Sequence, residues 1–316
     1  MDSEELILRY YLSLFSIILF FFYFVYLFNF KLLIQEKTVI TIEKGDSINR
    51  IINLINNDLN FIEKNIYYIV IQITNNFLAT INYGKFVFDD KKNFLEIVSI
   101  ISKKSNFDYK ITIIEGWQEF QLKNYLIKYY KNYKSIPYEN LLSETYIINS
   151  SNSFNDLENF LLKSKDNFFT KYKNNHYYKK YGIKNILIIS SLVEKEAKNN
   201  DDKGLIASVI FNRLNINMPL QIDATVIYSL TEGKNKLNRK LNYKDLKINH
   251  PYNTYLIKGM PPGMISYVGK ETVKLVLESD KSDFLFYFYN IIEKKHNFSK
   301  NYKEHKMKLN EYKKRK

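Results

Sequence analysis

The sequence of 316 residues contains no cysteine. Disulfide bonds, thiolate metal sites and cysteine nucleophiles are therefore excluded. The four histidines are His176, His250, His296 and His305, and they show none of the spacings at which histidines usually bind a metal. We therefore expect neither a metal centre nor a cofactor.

Glycine and proline are few, at 9 and 5 residues, while Lys, Asn, Ile, Tyr and Phe dominate the composition. Such a bias is typical of a genome rich in A and T, so the net charge of +14 carries little functional information. A basic protein can be held near phosphate groups. Here, however, the lysines are spread along the whole chain, and no stretch shows a motif that reads DNA or RNA. We expect no nucleic-acid partner.

One long apolar run interrupts this polar background. From Tyr10 to Phe30, 21 residues pass without a charge, and a helix of that length reaches roughly 31 Å, enough to cross a hydrocarbon core of about 30 Å. A basic residue flanks the run on each side, as is common at membrane interfaces. A cleaved signal peptide is the alternative, but no small-residue cleavage site follows the run. We predict a leader at 1–9, a transmembrane helix at 10–30 and a linker of about seven residues after it.

The remainder of the chain alternates between helical and strand patterns, which predicts the α+β fold class. Residues 38–44 alternate like a strand, and helical spacings of isoleucine and further strand patterns follow them. We therefore predict a small α+β module at 38–110 and a mixed α+β domain at 111–305. The Asn- and Ser-rich stretch at 148–156 is interpreted as a loop inside the second domain, and 306–316 as a basic, solvated end.

The stretch from Ser190 to Asn200, SSLVEKEAKNN, carries the strongest chemical signal. Its apolar pattern is helical, and residues two apart on a helix point about 200° apart, so Glu194 and Glu196 cannot act as one carboxylate pair. The apolar stripe leads to Glu196, whereas Glu194 continues a polar stripe and is expected in water. A carboxyl in apolar surroundings has a raised pKa, as a general acid near neutral pH requires. Spacing alone also allows Glu196 to end at the surface or to pair with a buried arginine.

Two downstream segments supply polar groups. Four of the five prolines lie between residues 219 and 262, so the backbone there is conformationally stiff. The polar side chains in these segments are Gln221, Asp223, Thr225, Tyr228, Asn253, Thr254 and Tyr255. Amide, hydroxyl and aromatic groups together suit a sugar, although such groups can also merely satisfy their own loop backbone.

Longer stretches resemble a known family. SSLVEKEA, IASVIFNRL, MPLQIDATVIYSL and YNTYLIKGMPPGMIS occur in this order, and they are similar to segments of the membrane-anchored endolytic murein transglycosylases of the MltG (YceG-like) type. The resemblance covers about residues 33–305, and EKGDSINRII with YGKFVF resembles the family's LysM-like module. It implies a LysM-like module at 38–110 and a transglycosylase catalytic domain at 111–305. It also implies that the second glutamate of the EKE triplet, Glu196, is the catalytic acid.

The resemblance further implies a reaction. The β-1,4 bond between N-acetylmuramic acid and N-acetylglucosamine would be cleaved without water to leave 1,6-anhydro ends, which makes the enzyme a lyase acting on a polysaccharide. Since the nucleophile belongs to the substrate, one carboxyl suffices where ordinary glycosidases usually need two. We predict Glu196 as general acid and base. The predicted sugar-binding residues are Gln221, Asp223, Asn253 and Tyr255, with Thr225 and Tyr228 as their support.

The substrate so implied lies outside the cytoplasm. We therefore predict a single-pass protein of the inner (plasma) membrane, with its N-terminus inside, its catalytic domain outside, peptidoglycan strands as substrate and cell-wall synthesis enzymes as partners. The chain departs from the family pattern at LLSETYIIN (141–149) and at Tyr267-Val268-Gly269, and both departures are expected to loosen loop geometry. The alternative function is a catalytically silent, membrane-anchored scaffold that binds glycan.

Overall fold

An apolar helix begins the computed structural model, which describes residues 3–279 and 281–315. This helix, α1, is Ser3–Asn29, so it starts well inside the predicted leader, of which residues 1 and 2 lie outside the described residues. Large apolar side chains between Leu6 and Phe22 are 41–64% exposed. Among the described residues, α1 is the one helix long and apolar enough to cross a membrane. An apolar surface of this kind is poorly suited to water, which favours a lipid environment.

The chain divides into two compact units, of which the first extends to Lys110 and includes Ile147–Asn152. Its elements after α1 are β1 Leu32–Ile34, β2 Thr38–Ile42, α2 Ile48–Ile55, α3 Phe61–Phe77, β3 Gly84–Phe88, β4 Lys92–Asn93 and α4 Phe94–Ile101. β2 pairs antiparallel with β3, and β1 pairs with β4. Buried residues of the strands and of α2, α3 and α4 form one core.

Asparagine side chains mark the start of two of these helices. Asn60 and Asn93 each accept a hydrogen bond from the backbone N–H three residues later, and the side chains of Glu63 and Glu96 bond back to the asparagine N–H. These capping boxes satisfy backbone donors that the first helical turn leaves without a helical partner. Local side-chain chemistry therefore specifies where the helices begin, even in a sequence crowded with asparagine.

The segment that follows α1 is folded. Leu27 and Phe28, in the last turns of α1, are 0% and 4% exposed and pack in the core of the first unit. β1 begins at Leu32, and its Leu33 and Ile34 are 4% and 3% exposed. The predicted linker of about seven residues is therefore wrong, because part of it forms a strand of this core.

Strands β5 Asp108–Thr112 and β6 Thr145–Asn149 pair with each other. The Asn- and Ser-rich stretch at 148–156 had been interpreted as a loop of the second domain. Its first residues instead end β6 and group with the first unit. That interpretation is therefore wrong for this part of the stretch.

The second unit contains the remaining described residues. Its elements are α5 Glu119–Leu126, α6 Phe154–Thr170, α7 His176–Glu196, α8 Lys203–Asn215, α9 Asp223–Thr231, α10 Lys270–Leu277, β7 Phe286–Asn290, β8 Lys295–Ser299 and α11 Tyr302–Arg315. Helix α7 bends at Gly182, where φ is 71°, a value that glycine adopts without steric cost. Beyond the bend, eight consecutive residues from Ile186 to Val193 are buried, against α8 and α10 among others.

A hairpin and the last helix complete the second unit, and α11 packs against β7 and β8. β7 and β8 form an antiparallel hairpin in which Phe286 is opposite Ser299 and Asn290 is opposite Lys295. α11 has no buried residue among those described, as expected for a solvated, lysine-rich end. With its small two-stranded sheets and many helices, the protein has the predicted α+β fold class.

Candidate active site

A cavity of about 430 Å³ opens where α7 ends. Its walls are the last turn of α7, the start of α9, the loop around Tyr255 and the β7–β8 hairpin. The lining residues that the chemistry uses are Glu196, Arg213, Gln221, Asp223, Tyr255 and Tyr287. A concave site with aromatic walls and a few convergent polar groups is the usual form of a ligand pocket.

Glu196 is the last residue of α7 and lies half-buried in the cavity wall. Tyr287 Oη donates a hydrogen bond to Glu196 Oε2 over 3.2 Å. Burial raises the pKa of the Glu196 carboxyl above its ordinary value, and the charge of Asp223 adds to this, while the Tyr287 hydrogen bond opposes it. The net shift of the pKa is upward, toward the protonated form that a proton donor needs.

Glu194 lies in quite different surroundings on the same helical turn. Its side chain is 7% exposed and its Oε1 is 3.1 Å from Lys203 Nζ, on a side chain that is 6% exposed. Thr272 Oγ1 donates to its Oε2 over 2.5 Å, and the Gly269 N–H donates to the same oxygen over 3.4 Å. The expectation that Glu194 lies in water is therefore wrong. The polar stripe of α7 is also buried, and it faces polar partners on α8 and α10.

Three of the predicted sugar-binding residues, Gln221, Asp223 and Tyr255, line the same cavity as Glu196. Asp223 Oδ1 accepts a hydrogen bond from Tyr255 Oη over 2.6 Å. Gln221 has a φ of 52°, and non-glycine residues in this left-handed region are concentrated at functional sites. Its N–H donates to the Thr254 carbonyl over 3.0 Å, which holds the strained backbone in place.

Asn253 lies behind the cavity wall. It is 0% exposed, and its amide nitrogen donates to the carbonyl oxygens of Leu246 and Ile248 over 3.0 and 2.8 Å. Its Oδ1 accepts from the Tyr255 N–H over 3.0 Å. Because the whole amide is engaged by backbone, Asn253 is not placed to contact a sugar. It fixes the loop that carries Tyr255.

Thr225 and Tyr228 also lie outside the set of described residues that line the cavity. Thr225 is 0% exposed, and its Oγ1 donates to the Ile222 carbonyl over 2.6 Å and contacts Thr254 Oγ1 at 2.8 Å. The Tyr228 ring packs on Tyr252 with centroids 4.6 Å apart. Both residues stabilise the loops from within.

The β7–β8 hairpin contributes residues that the sequence patterns did not single out. Three consecutive aromatic residues, 287–289, line the cavity. Arg213 holds this wall, because its Nε donates to the Leu285 carbonyl over 2.7 Å and its Nη1 to the Leu220 carbonyl over 2.6 Å. The aromatic run FLFYFYN at 284–290 was the available signal. Its approach to position 196 depends on contacts between residues 91 apart in sequence.

The cavity also borders His296, whose Nδ1 is 2.7 Å from Asp202 Oδ2. Among residues 3–279 and 281–315, no group of three or more His, Asp or Glu side chains is arranged to hold a metal ion. Among the residues that line the cavity, Glu196 is the carboxyl whose raised pKa suits proton transfer.

Comparison with known protein families assigns the chain to one of them. Residues 40–311 match the YceG-like family, and the chain belongs to that family.

Two individual relatives are similar to part of the chain. The chain is similar to the protein named endolytic murein transglycosylase from Bacillus subtilis (strain 168), with 37% identity over 148 residues, covering 46% of this chain and 40% of the relative. A protein of the same name from Streptococcus pneumoniae (strain D39) is 32% identical over 168 residues, covering 52% of this chain and 30% of the relative. The chain thus matches less than half the length of each of these relatives.

A solved structure supports the fold over a longer range. The crystal structure of a YceG-like protein from Listeria monocytogenes superposes with a TM-score of 0.55 at 26% identity, covering 87% of this chain and 99% of that one.

Proposed function

We propose that this protein is a membrane-anchored lytic transglycosylase that cleaves the glycan strands of peptidoglycan within their length. The observation that carries the proposal is Glu196, a carboxyl with a raised pKa in an aromatic-lined cavity. Two relatives named endolytic murein transglycosylase support the substrate class.

In the proposed reaction, protonated Glu196 donates its proton to the glycosidic oxygen as the bond from that oxygen to C1 of N-acetylmuramic acid breaks. The C6 hydroxyl of the same sugar attacks C1, and its proton passes to the Glu196 carboxylate. No water is consumed, and Glu196 ends protonated as it began. A pKa raised by burial suits both steps, because the carboxyl must give up a proton and take one back near neutral pH.

Sugar binding is assigned to the cavity walls. Tyr255 and the aromatic residues at 287–289 would cover ring faces, while the Gln221 amide and the Asp223 carboxylate would bond hydroxyl and acetamido groups. Asn253, Thr225 and Tyr228 would act indirectly by holding these loops.

A second candidate reaction is ordinary glycoside hydrolysis. It is favoured by one observation: Asp223 places a second carboxylate in the same cavity, and hydrolytic glycosidases usually use two. Hydrolysis would add water and leave reducing ends, so the products distinguish the two reactions.

The test uses the full chain in detergent with purified sacculi and mass spectrometry of the released fragments. The native chain should release fragments with 1,6-anhydro ends, and Glu196→Gln should lower their yield by about 10² to 10⁴-fold while still binding sacculi. Glu271→Gln, at an exposed position of α10, is the matched control and should be fully active. Reducing ends would favour hydrolysis, and binding without any product would favour the silent scaffold.

We also propose that α1 spans the inner (plasma) membrane with its N-terminus inside, since peptidoglycan lies outside the cytoplasm. Residues 38–110 then form a LysM-like module on the outer side, and cell-wall synthesis enzymes are the natural partners. Support comes from the length and exposed apolar surface of α1. Protease digestion of intact spheroplasts should remove everything after α1, and protection of the chain would contradict this orientation.

A further inference from the structure

Helix α3 in the first unit presents a large apolar surface to its surroundings. Glu63, Tyr67 and Ile71 form its buried side. On the exposed side, six large apolar residues of α3 and the position after it are 49–82% exposed. They are Phe61, Ile62, Ile69, Ile73, Phe77 and Leu78, and we call them the apolar face of α3. Contiguous apolar surface of this kind usually marks an interaction site.

The sequence around this face is unusual for the chain. Residues 65–84 include no Asp, Glu, Lys or Arg, in a protein in which 25% of residues are charged. The exposed polar positions of α3 are occupied by asparagine and glutamine instead, such as Asn65, Gln72 and Asn76. Apart from Lys64 in its first turn, α3 carries none of the lysine that is abundant elsewhere in the chain and that a helix facing water would be expected to carry. The composition instead suits the boundary between lipid headgroups and acyl chains.

Helix α3 lies beside the point where α1 leaves its exposed apolar stretch. It contacts α1 through its buried side, so the apolar face is turned away from α1. Lys31 Nζ is 2.5 Å from Glu63 Oε1, and Tyr23 Oη donates to the same carboxylate over 3.5 Å. Tyr67 Oη donates to the Leu27 carbonyl over 3.0 Å. The first two turns of α3 therefore contact residues 23–27 near the end of α1 and Lys31 just after it.

We propose that α3 is an interfacial helix that rests on the bilayer that α1 crosses. The inference rests on the proposed membrane insertion of α1. Since β1 follows α1 directly inside the same core, the first unit cannot move away from the membrane on a tether. Interfacial helices bury their apolar side about 5–10 Å into the headgroup boundary. Because the face has no charge, its contact depends on apolar burial and should be the same on neutral and anionic lipid.

The absence of cysteine from the sequence allows a direct measurement of depth. The full chain is reconstituted into vesicles of phosphatidylcholine, with or without phosphatidylglycerol, and single nitroxide labels are attached at Ile73→Cys or Phe77→Cys. Relaxation of the label by oxygen, which concentrates in lipid, is compared with relaxation by a water-soluble nickel chelate. Asn53→Cys, at an exposed position of α2, is the matched control, and Phe20→Cys reports on α1.

The labels on α3 should be relaxed more strongly by oxygen than by nickel in both kinds of vesicle, and the Asn53 label more strongly by nickel. Lipid exposure at Phe20 with water exposure at Ile73 would overturn the interfacial helix and leave the anchor intact. Water exposure at Phe20 would overturn the anchor itself. Protection of Ile73 from both reagents would mean that a protein surface or a second copy of the chain covers the face, which also overturns the proposal.

Discussion

The two glutamates at the end of α7 differ in what their surroundings do to a buried acid. Glu194 faces the packed interior and is neutralised by Lys203 at 3.1 Å. Glu196 faces the cavity, where its hydrogen-bond donor is the neutral hydroxyl of Tyr287 and burial raises its pKa. Burial alone therefore does not make a proton donor. A buried carboxyl beside a close cation has its charge compensated, whereas one with a neutral partner has a raised pKa and is available for proton transfer.

The largest effect on stability is expected from a change at Glu194, the glutamate that faces the packed interior. Glu194→Gln removes the nearer and more buried of the two carboxylates around the Lys203 ammonium, since Glu115 Oε2 lies at 3.7 Å on a half-exposed side chain. Breaking a buried ion pair costs up to roughly 3–5 kcal/mol of unfolding free energy. Urea unfolding at neutral pH measures the loss. Glu271→Gln, which breaks a half-exposed pair with Lys274, should cost at most about 1 kcal/mol. Equal stability of the two variants would contradict a structural role for Glu194.

A smaller effect is expected on the catalytic side, from Tyr287→Phe. Loss of a hydrogen bond to the carboxylate that forms as Glu196 gives up its proton, worth about 1.5 kcal/mol, should slow turnover roughly tenfold. Since the Tyr287 hydrogen bond holds down the pKa of Glu196, its removal should raise that pKa further. The alkaline limb of the pH–activity profile should then move to higher pH. Tyr289→Phe, which changes another tyrosine of the same cavity wall, should leave the limb in place. If the alkaline limb of the pH–activity profile stays in place in Tyr287→Phe, the role of Tyr287 in setting the pKa of Glu196 is contradicted.

The smallest effect is expected on the thermal stability of Glu196→Gln, and its sign is the informative result. Because the Glu196 pKa is higher in the folded than in the unfolded chain, the folded state binds the proton more tightly. Stability therefore falls as pH rises from the unfolded pKa through the folded one. Glu196→Gln removes this cost, so its Tm should exceed that of the native chain at pH 8, with the difference shrinking toward pH 4. A lower Tm at pH 8 would make Glu196 a structural residue like Glu194.

The spacing of apolar residues along the sequence predicted which side of α7 Glu196 lies on. The helical pattern of 186–196 placed Glu196 toward the interior, and the structure has it in a cavity wall, although its catalytic role stays a prediction. The same pattern could not place Glu194 correctly. A stripe of serine and glutamate is typical of a solvated face, and only the contacts with Lys203 and Thr272 reveal a buried one.

The loop residues show a second limit of sequence reasoning. An asparagine in a stiff loop has the same chemical identity whether its amide faces a ligand or, as for Asn253, three backbone groups. Tyr267 was expected to loosen its loop. It is instead 0% exposed, with its N–H bonded to the Trp117 carbonyl over 2.8 Å and its hydroxyl to the Ile136 carbonyl over 2.5 Å.

Arg213 sets the mechanical character of the cavity. Its planar guanidinium bonds the carbonyl groups of Pro219 and Leu220 on one wall and of Leu285 on the other, and a lysine ammonium could not reproduce that fork. Widening the opening would require those bonds to break together, in a place where water does not readily replace them. The gap between the two walls is therefore held at a fixed width by Arg213, and a ligand has to fit it without a movement of the walls.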